Sequence, residues 1–234
     1  MSIEAARAAA LYEDLVKTAR NEIHRFHQLR NHALEGYAVP DSITAGCSVE
    51  LGSRNLTSLP EELIDVIKNE AERLALDSNR LTSLSGLAPR FAECTRLRYL
   101  VLRNNHLRDF PRAILSVPTL EILDLKSNKI ESLPEDLSRL HKLRSFSIRQ
   151  NRVAKLPLCI VNMTNLTCLT TRRNPIVFPP IEEWSVPELA PDSDEDDKGR
   201  EIARAQAETA RLKRWITGYQ TKGRWTFDGD GELM

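Results

Sequence analysis

LRYLVLRNNHLRDFP (97–111), LEILDLKSNKIESLP (120–134) and LRSFSIRQNRVAKLP (143–157) are one phrase repeated, and LTCLTTRRNPIVFPP (166–180) closes the series. The frame is L-x-x-L-x-L-x-x-N-x-L, usually ending in Leu-Pro. Its asparagines are Asn105, Asn128, Asn151 and Asn174, an interval of 23 residues three times running. Two earlier copies lie upstream: ERLALDSNRLTSLS (72–85) carries Asn79, and SVELGSRNLTSLP (48–60) has Arg54 at the asparagine place. A fixed period of this length predicts stacked coils, each burying its apolar side only against its neighbours.

Each place in the phrase has a mechanical reason. The L-x-L core is a short strand whose alternate side chains face opposite ways. Leu123 and Leu125 therefore point inward, and Asp124 and Lys126 outward. Each asparagine sits where the chain turns, so its amide can bond the backbone of neighbouring coils. A buried backbone group left unpaired costs roughly 1–3 kcal/mol. Arg54 is tolerable because an end coil has one neighbour only. Pro60, Pro111, Pro134 and Pro157 fix φ and steer the chain into the convex return. The expected fold is an α/β leucine-rich-repeat solenoid of about six coils, with a parallel concave sheet and a helical cap at each end.

The expected division is a helical segment at 1–40, the solenoid at 41–180, an acidic linker at 181–199, a capping helix at 200–220 and a tail at 221–234. In the first segment Leu11, Leu15, Ala19, Ile23 and Phe26 recur at helical steps, with Gly36 and Pro40 as stops. Two roles fit that helix: packing on the first coil, or joining a partner or second copy. PEELIDVIKNEAERL (60–74) is a convex helix with Leu63, Ile64 and Ile67 on one side. Asn79 to Asn105 spans 26 residues, so the second coil has a longer return, with Cys94 as a small buried hydrophobe. The last helix places Ile202, Ala205, Leu212, Ile216 and Tyr219 on one face.

Lys+Arg and Asp+Glu both number 33, which argues against nucleic acid or an anionic membrane as main partner. No apolar run approaches the ~20 residues that span a bilayer. The opening MSIEAARAAALYEDL is interrupted by charge, unlike a signal peptide. Cys47, Cys94, Cys159 and Cys168 form no C-x-x-C pair or disulfide-bonded flank, so a reducing, cytoplasmic setting is expected. The sequons at Asn55, Asn162 and Asn165 are then idle. His24, His27 and His32 lack a carboxylate or cysteine to complete a metal set, and DGDGELM lacks the later glutamate of a calcium loop. No phosphate loop, nucleophile elbow, H-E-x-x-H or paired-cysteine zinc pattern occurs. The chain is expected to be no enzyme and to hold no cofactor or metal.

The register writes out the outer face of the sheet. One column runs Ser48, Arg73, Tyr99, Ile122, Ser145 and Cys168. The next runs Glu50, Ala75, Val101, Asp124, Ser147 and Thr170. The third runs Gly52, Asp77, Arg103, Lys126, Arg149 and Arg172, ending in four consecutive bases about 4.8 Å apart. Like charges that close repel, so folding does not favour the arrangement. Tyr99, Val101 and Ile122 form an apolar spot beside them. Residues 97–173 hold 14 Lys and Arg against 6 Asp and Glu, while 182–197 holds eight acids and no base. The candidate partner-binding residues are Tyr99, Val101, Arg103, Ile122, Asp124, Lys126, Arg149 and Arg172, taking an acidic or phosphorylated segment. The acidic linker is placed to fold back and compete, and Ser193 in S-D-E-D is a phosphorylation candidate.

EELIDVIKNEAERLALDSNRLTSL, FAECTRLRYLVLRNNHLRDFP, LEILDLKSNKIESLP and NPIVFPP resemble the Sog-type leucine-rich-repeat subunit of the fungal RAM network, the pathway of an NDR-family kinase. The likeness covers roughly residues 45–220, including the irregular second coil. It implies a non-catalytic scaffold acting with a germinal-centre (Ste20-like) kinase and its armadillo-type scaffold, with polarised growth, cell separation and cell-wall integrity as output. Two other functions fit the residues alone: a regulator of a Ras-like GTPase or a phosphatase, and a self-assembling structural protein.

Overall fold

The computed structural model describes residues 3–34, 46–84, 87–88, 90–186 and 197–221. Gly36, Pro40, Ser193 and the DGDGELM end lie outside them. Six three-residue strands form one parallel sheet in sequence order: β1 (Ser48–Glu50), β2 (Arg73–Ala75), β3 (Tyr99–Val101), β4 (Ile122–Asp124), β5 (Ser145–Ser147) and β6 (Cys168–Thr170). Each strand hands the chain to a return that leads back to the next strand's start. In the first coil that return carries α2 (Glu62–Ile67). PEELIDVIKNEAERL is thus helical over six residues only, because Arg73 must already enter β2. In the later coils the returns are 3-10 turns, and Pro111 and Pro157 (both φ −69°) stand just before two of them.

The interior is a single apolar column. Leu74, Leu100, Leu123, Phe146 and Leu169 occupy the same register on successive strands and are all buried. Phe91 and Cys94 fill the longer second return. Burial, aided by nearby Glu93, pushes the Cys94 thiol up to about 12, so it behaves as a small hydrophobe. Across the returns Asp65 binds Arg90 (2.5 Å) and Lys68 (3.2 Å), which hold its carboxyl down at about 2.

What locks one coil to the next is the asparagine of the repeat. Asn128 Nδ2 donates to Leu102 O of the preceding coil (2.9 Å) and Leu125 O of its own (3.0 Å), and its Oδ1 accepts the Leu107 N–H (3.1 Å). Asn79, Asn105, Asn151 and Asn174 repeat the pattern toward Leu51, Leu76, Leu125 and Ile148. Arg54 needs no such side chain. Its own N–H donates to Asn79 Oδ1 (3.0 Å), and among the described residues no coil precedes it. The residue before each of these places is left-handed: Ser53, Ser78, Asn104, Ser127, Gln150 and Arg173 have φ between 56° and 59°. None is glycine or β-branched. The sharp bend aims each amide at the coil behind it.

Both ends of the sheet are covered. α1 (Ile3–Leu34) lies against α2 and β1 and buries Leu15 and Ala19. Asp14–Arg54 (3.1 Å), His27–Glu70 (3.2 Å) and a Tyr12–Ser58 hydrogen bond fasten it. Leu11, expected on the packed face, is instead exposed. At the other end α3 (Ile181–Trp184) packs against α4 (Asp197–Thr221), which closes over β6. Thr209 Oγ1 accepts the Leu169 N–H (2.8 Å), one of the groups an edge strand leaves open. Lys213 Nζ donates to Met163 O (2.5 Å) and Leu166 O (2.7 Å). Ala205, Leu212 and Ile216 are buried as expected, but Ile202 is 52% exposed. Glu208 and Thr209 complete the inward face in its stead, because that face meets backbone as well as side chains.

Asn128→Ala should cost roughly 2–4 kcal/mol in urea unfolding, since it strands one N–H and weakens two carbonyl contacts. Arg54→Ala should cost under about 1 kcal/mol, as an exposed ion pair does. Thr209→Val should lower stability by about 1–3 kcal/mol and speed exchange of the Leu169 amide before the rest of the sheet opens.

Candidate functional site

The outer face of the sheet has the columns the repeat implies. Ser48, Arg73, Tyr99, Ile122, Ser145 and Cys168 are paired from strand to strand, as are Glu50, Ala75, Val101, Asp124, Ser147 and Thr170. The third column lies one step past the strands and stays in register. The carbonyls of Asp77, Arg103, Lys126, Arg149 and Arg172 accept from Ser53, Ser78, Asn104, Ser127 and Gln150 (2.8–3.0 Å). Tyr99, Arg103, Lys126 and Arg149 therefore share one side, opposite the buried Leu100, Leu102 and Leu125.

Within that frame the face has three regions. At the first coils Arg73 pairs with Glu50 (3.2 Å), which leaves the charge balanced. In the middle, Tyr99 neighbours Ile122, which is 37% exposed. The Arg98 guanidinium lies 5.7 Å from the Tyr99 ring centroid and is held by Glu121 (2.8 Å), so the ring is braced from one side. Its hydrogen bond to Arg98 holds the Glu121 carboxyl below its ordinary range. Toward the last coils the floor is small and hydroxylated: Ser145, Ser147 and Thr170, all half-buried.

Five of the expected site residues differ in setting from the sequence reading. Val101, expected to be part of an exposed apolar spot, is only 7% exposed between Ala75 and Asp124, so it is floor rather than anchor. The Asp124 carboxylate, expected to point outward, turns back to accept the Lys126 N–H (2.9 Å). The basic row is also less free than its spacing implied. Arg103 reaches Asp77 (3.7 Å), and Arg149 Nη1 donates to Glu201 of α4. Arg172 lies near Glu208, whose carboxyl is pushed up by burial and drawn back down by the Val186 N–H and by Arg172 and Arg211. Lys126 makes no ion pair among the described residues.

A second basic row escaped the sequence reading. The residue after the first four of these asparagines is Arg80, His106, Lys129 and Arg152, and their amides bond back to Leu56, Leu81, Leu107 and Ile130 (2.8–2.9 Å), while Pro175 follows Asn174. They stand on the flank that descends from the sheet. The signal was present in the repeat, one place beyond the asparagine. The reach of Glu201 onto the face was not, since it depends on how α4 crosses the open end.

Together these features define a leucine-rich-repeat solenoid, a fold that binds proteins on the outer surface of its coils. The leucine-rich-repeat family model matches residues 95–153. The chain is 42% identical over 66 residues to the leucine-rich repeat-containing protein sog2 of Schizosaccharomyces pombe, which fits the Sog-type resemblance; the match covers 28% of this chain and 7% of that one. Among solved structures a leucine-rich-repeat protein of Leptospira interrogans superposes with a TM-score of 0.50 at 27% identity, covering 55% of this chain and 31% of that one. These relatives indicate a protein-interaction module and no catalytic family. Among the described residues no helix is long and apolar enough to cross a membrane.

Iodoacetamide at pH 8 should leave Cys94 and Cys47 unlabelled in the folded protein, because burial raises both thiols, to about 12 and about 11. The half-exposed Cys159 and Cys168 should label first, as peptide mass spectrometry would show.

Proposed function

We propose that this chain is a non-catalytic scaffold whose sheet face grips an acidic or phosphorylated segment of a protein partner. One observation carries the reading: Tyr99 and Ile122 stand side by side in register, next to a row that places Arg103, Lys126, Arg149 and Arg172 on consecutive coils. An aromatic and an aliphatic anchor supply contact area, and flanking cations set register and speed encounter. Val101 and Asp124 shape the floor beneath them. The likeness to sog2 supports a place in a cytoplasmic kinase network that governs polarised growth, cell separation and wall integrity. Its partners would be a germinal-centre (Ste20-like) kinase and an armadillo-type scaffold.

Affinity purification with mass spectrometry from the native cell tests this, comparing the wild type with the double variant Arg103→Glu, Lys126→Glu. The wild type should recover the kinase and the armadillo scaffold. The variant should lose them about 10-fold or more, the size expected for reversing charge at an interface. Its melting temperature should move by only about 2–4 °C, because both side chains sit on the outer face. Equal recovery by the two proteins would refute the face. Loss of a GTPase or phosphatase instead would refute the kinase network.

A further inference from the structure

Among the described residues, Arg149 is the base of the row with a buried donor that has no partner. Its Nη1 donates to Glu201 Oε1, contributed by α4 from outside the repeats. Its Nε–H is buried and has no partner. A guanidinium offers two planar forks, Nη1/Nη2 at its end and Nε/Nη2 at its side, each suited to two oxygens of one oxyanion, and Glu201 meets only the Nη1 prong of the end-on fork. The unmet buried Nε–H destabilises the resting arrangement, so an anion that draws the guanidinium outward has something to gain. The surroundings favour an anion. Lys126 and Arg172 stand on the adjacent coils in the same row, and Ser147 and Thr170, register partners on β5 and β6, add hydroxyl donors beside it. Glu201 itself is 41% exposed and held by this single contact to the sheet, whereas α4 is fixed independently through Thr209, Leu212 and Lys213.

We infer that Arg149, flanked by Lys126 and by the Ser147 and Thr170 hydroxyls, is the seat for a phosphoryl group on the partner, and that Glu201 occupies this seat in its absence. A phosphoserine or phosphothreonine brings three acceptor oxygens and close to two negative charges, enough to take both prongs of the Nη1/Nη2 fork where Glu201 takes one. Glu201 leaves without α4 unfolding, because the cap is anchored farther along the helix. The inference rests on the sheet face being the partner surface.

The test follows arginine Nε–H and backbone signals of the full chain by proton–nitrogen NMR while N-acetyl-O-phosphoserine amide is added. The Arg149 Nε–H signal should move downfield and saturate, with Arg108 and Arg152 scarcely affected. In Glu201→Gln the apparent Kd should fall about 5-fold, the scale of one exposed ion pair. Protection of the Leu169 amide should show α4 still docked. In Arg149→Gln the Ser147 amide should no longer respond. An unchanged Kd in Glu201→Gln, or equal movement of every exposed arginine, would overturn the seat. N-acetylglutamate amide binding as tightly as the phosphoserine probe would overturn the phosphoryl assignment. Should charge reversal at Arg103 and Lys126 abolish partner capture while phosphoserine ignores Arg149, the seat fails and the face stands. Saturable binding at Arg149 with partner capture untouched by charge reversal would leave an anion site there and overturn both the face and the partner as the source of its phosphoryl group.

Discussion

Five asparagines, four of them buried and Asn174 half-buried, hold this molecule in register. A three-residue strand is too short to fix its own alignment, and a coil of 23 residues cannot bury enough apolar surface to stand alone. Each asparagine side chain donates to a carbonyl of the coil behind it and to one of its own, and accepts an N–H from the coil behind. A slip of one residue would break all of these bonds and turn the leucines of that strand outward. Polar satisfaction and apolar burial therefore demand the same alignment, which is why the outer columns are straight.

A stack so built has two raw ends, and the chain closes them differently. At the start, α1 lays Leu15 and Ala19 on the first coil and is pinned by side-chain pairs near its middle and end. At the far end, α4 brings polar groups to the open edge, where Thr209 meets the Leu169 N–H and Lys213 takes two carbonyls. Burial lowers the Lys213 ammonium below its ordinary range, the cost of placing a cation against the last coil. The same helix reaches the sheet face through Glu201, so closing the end and contacting the binding surface are tasks of one element.

The repeat was legible because its period repeats the same constraint six times. The leucine strands, the asparagine places, the exception at Arg54 and the membership of the three outer columns all follow from spacing. What spacing could not show was the setting of individual side chains. Val101 sinks between Ala75 and Asp124, and Asp124 folds onto its own turn. Ile202 misses the core, and α4 spends its inward face partly on backbone groups through Thr209 and Lys213. The left-handed residues before each asparagine carry Ser, Asn, Gln or Arg, none of the glycines that usually mark such a bend. A row of bases is visible in sequence; which of them already has a partner depends on elements more than 50 residues away, as Glu201 is from Arg149.

The most direct measurement of this account is native-state hydrogen exchange at the amides that donate to the asparagine oxygens: Leu56, Leu81, Leu107, Ile130 and Val153. If the asparagines lock the coils, these five should exchange only through opening of the whole solenoid, at one shared free energy. Exchange at the rate of the exposed turns beside them would mean that the coils are held by their leucines alone, and the central constraint would be gone.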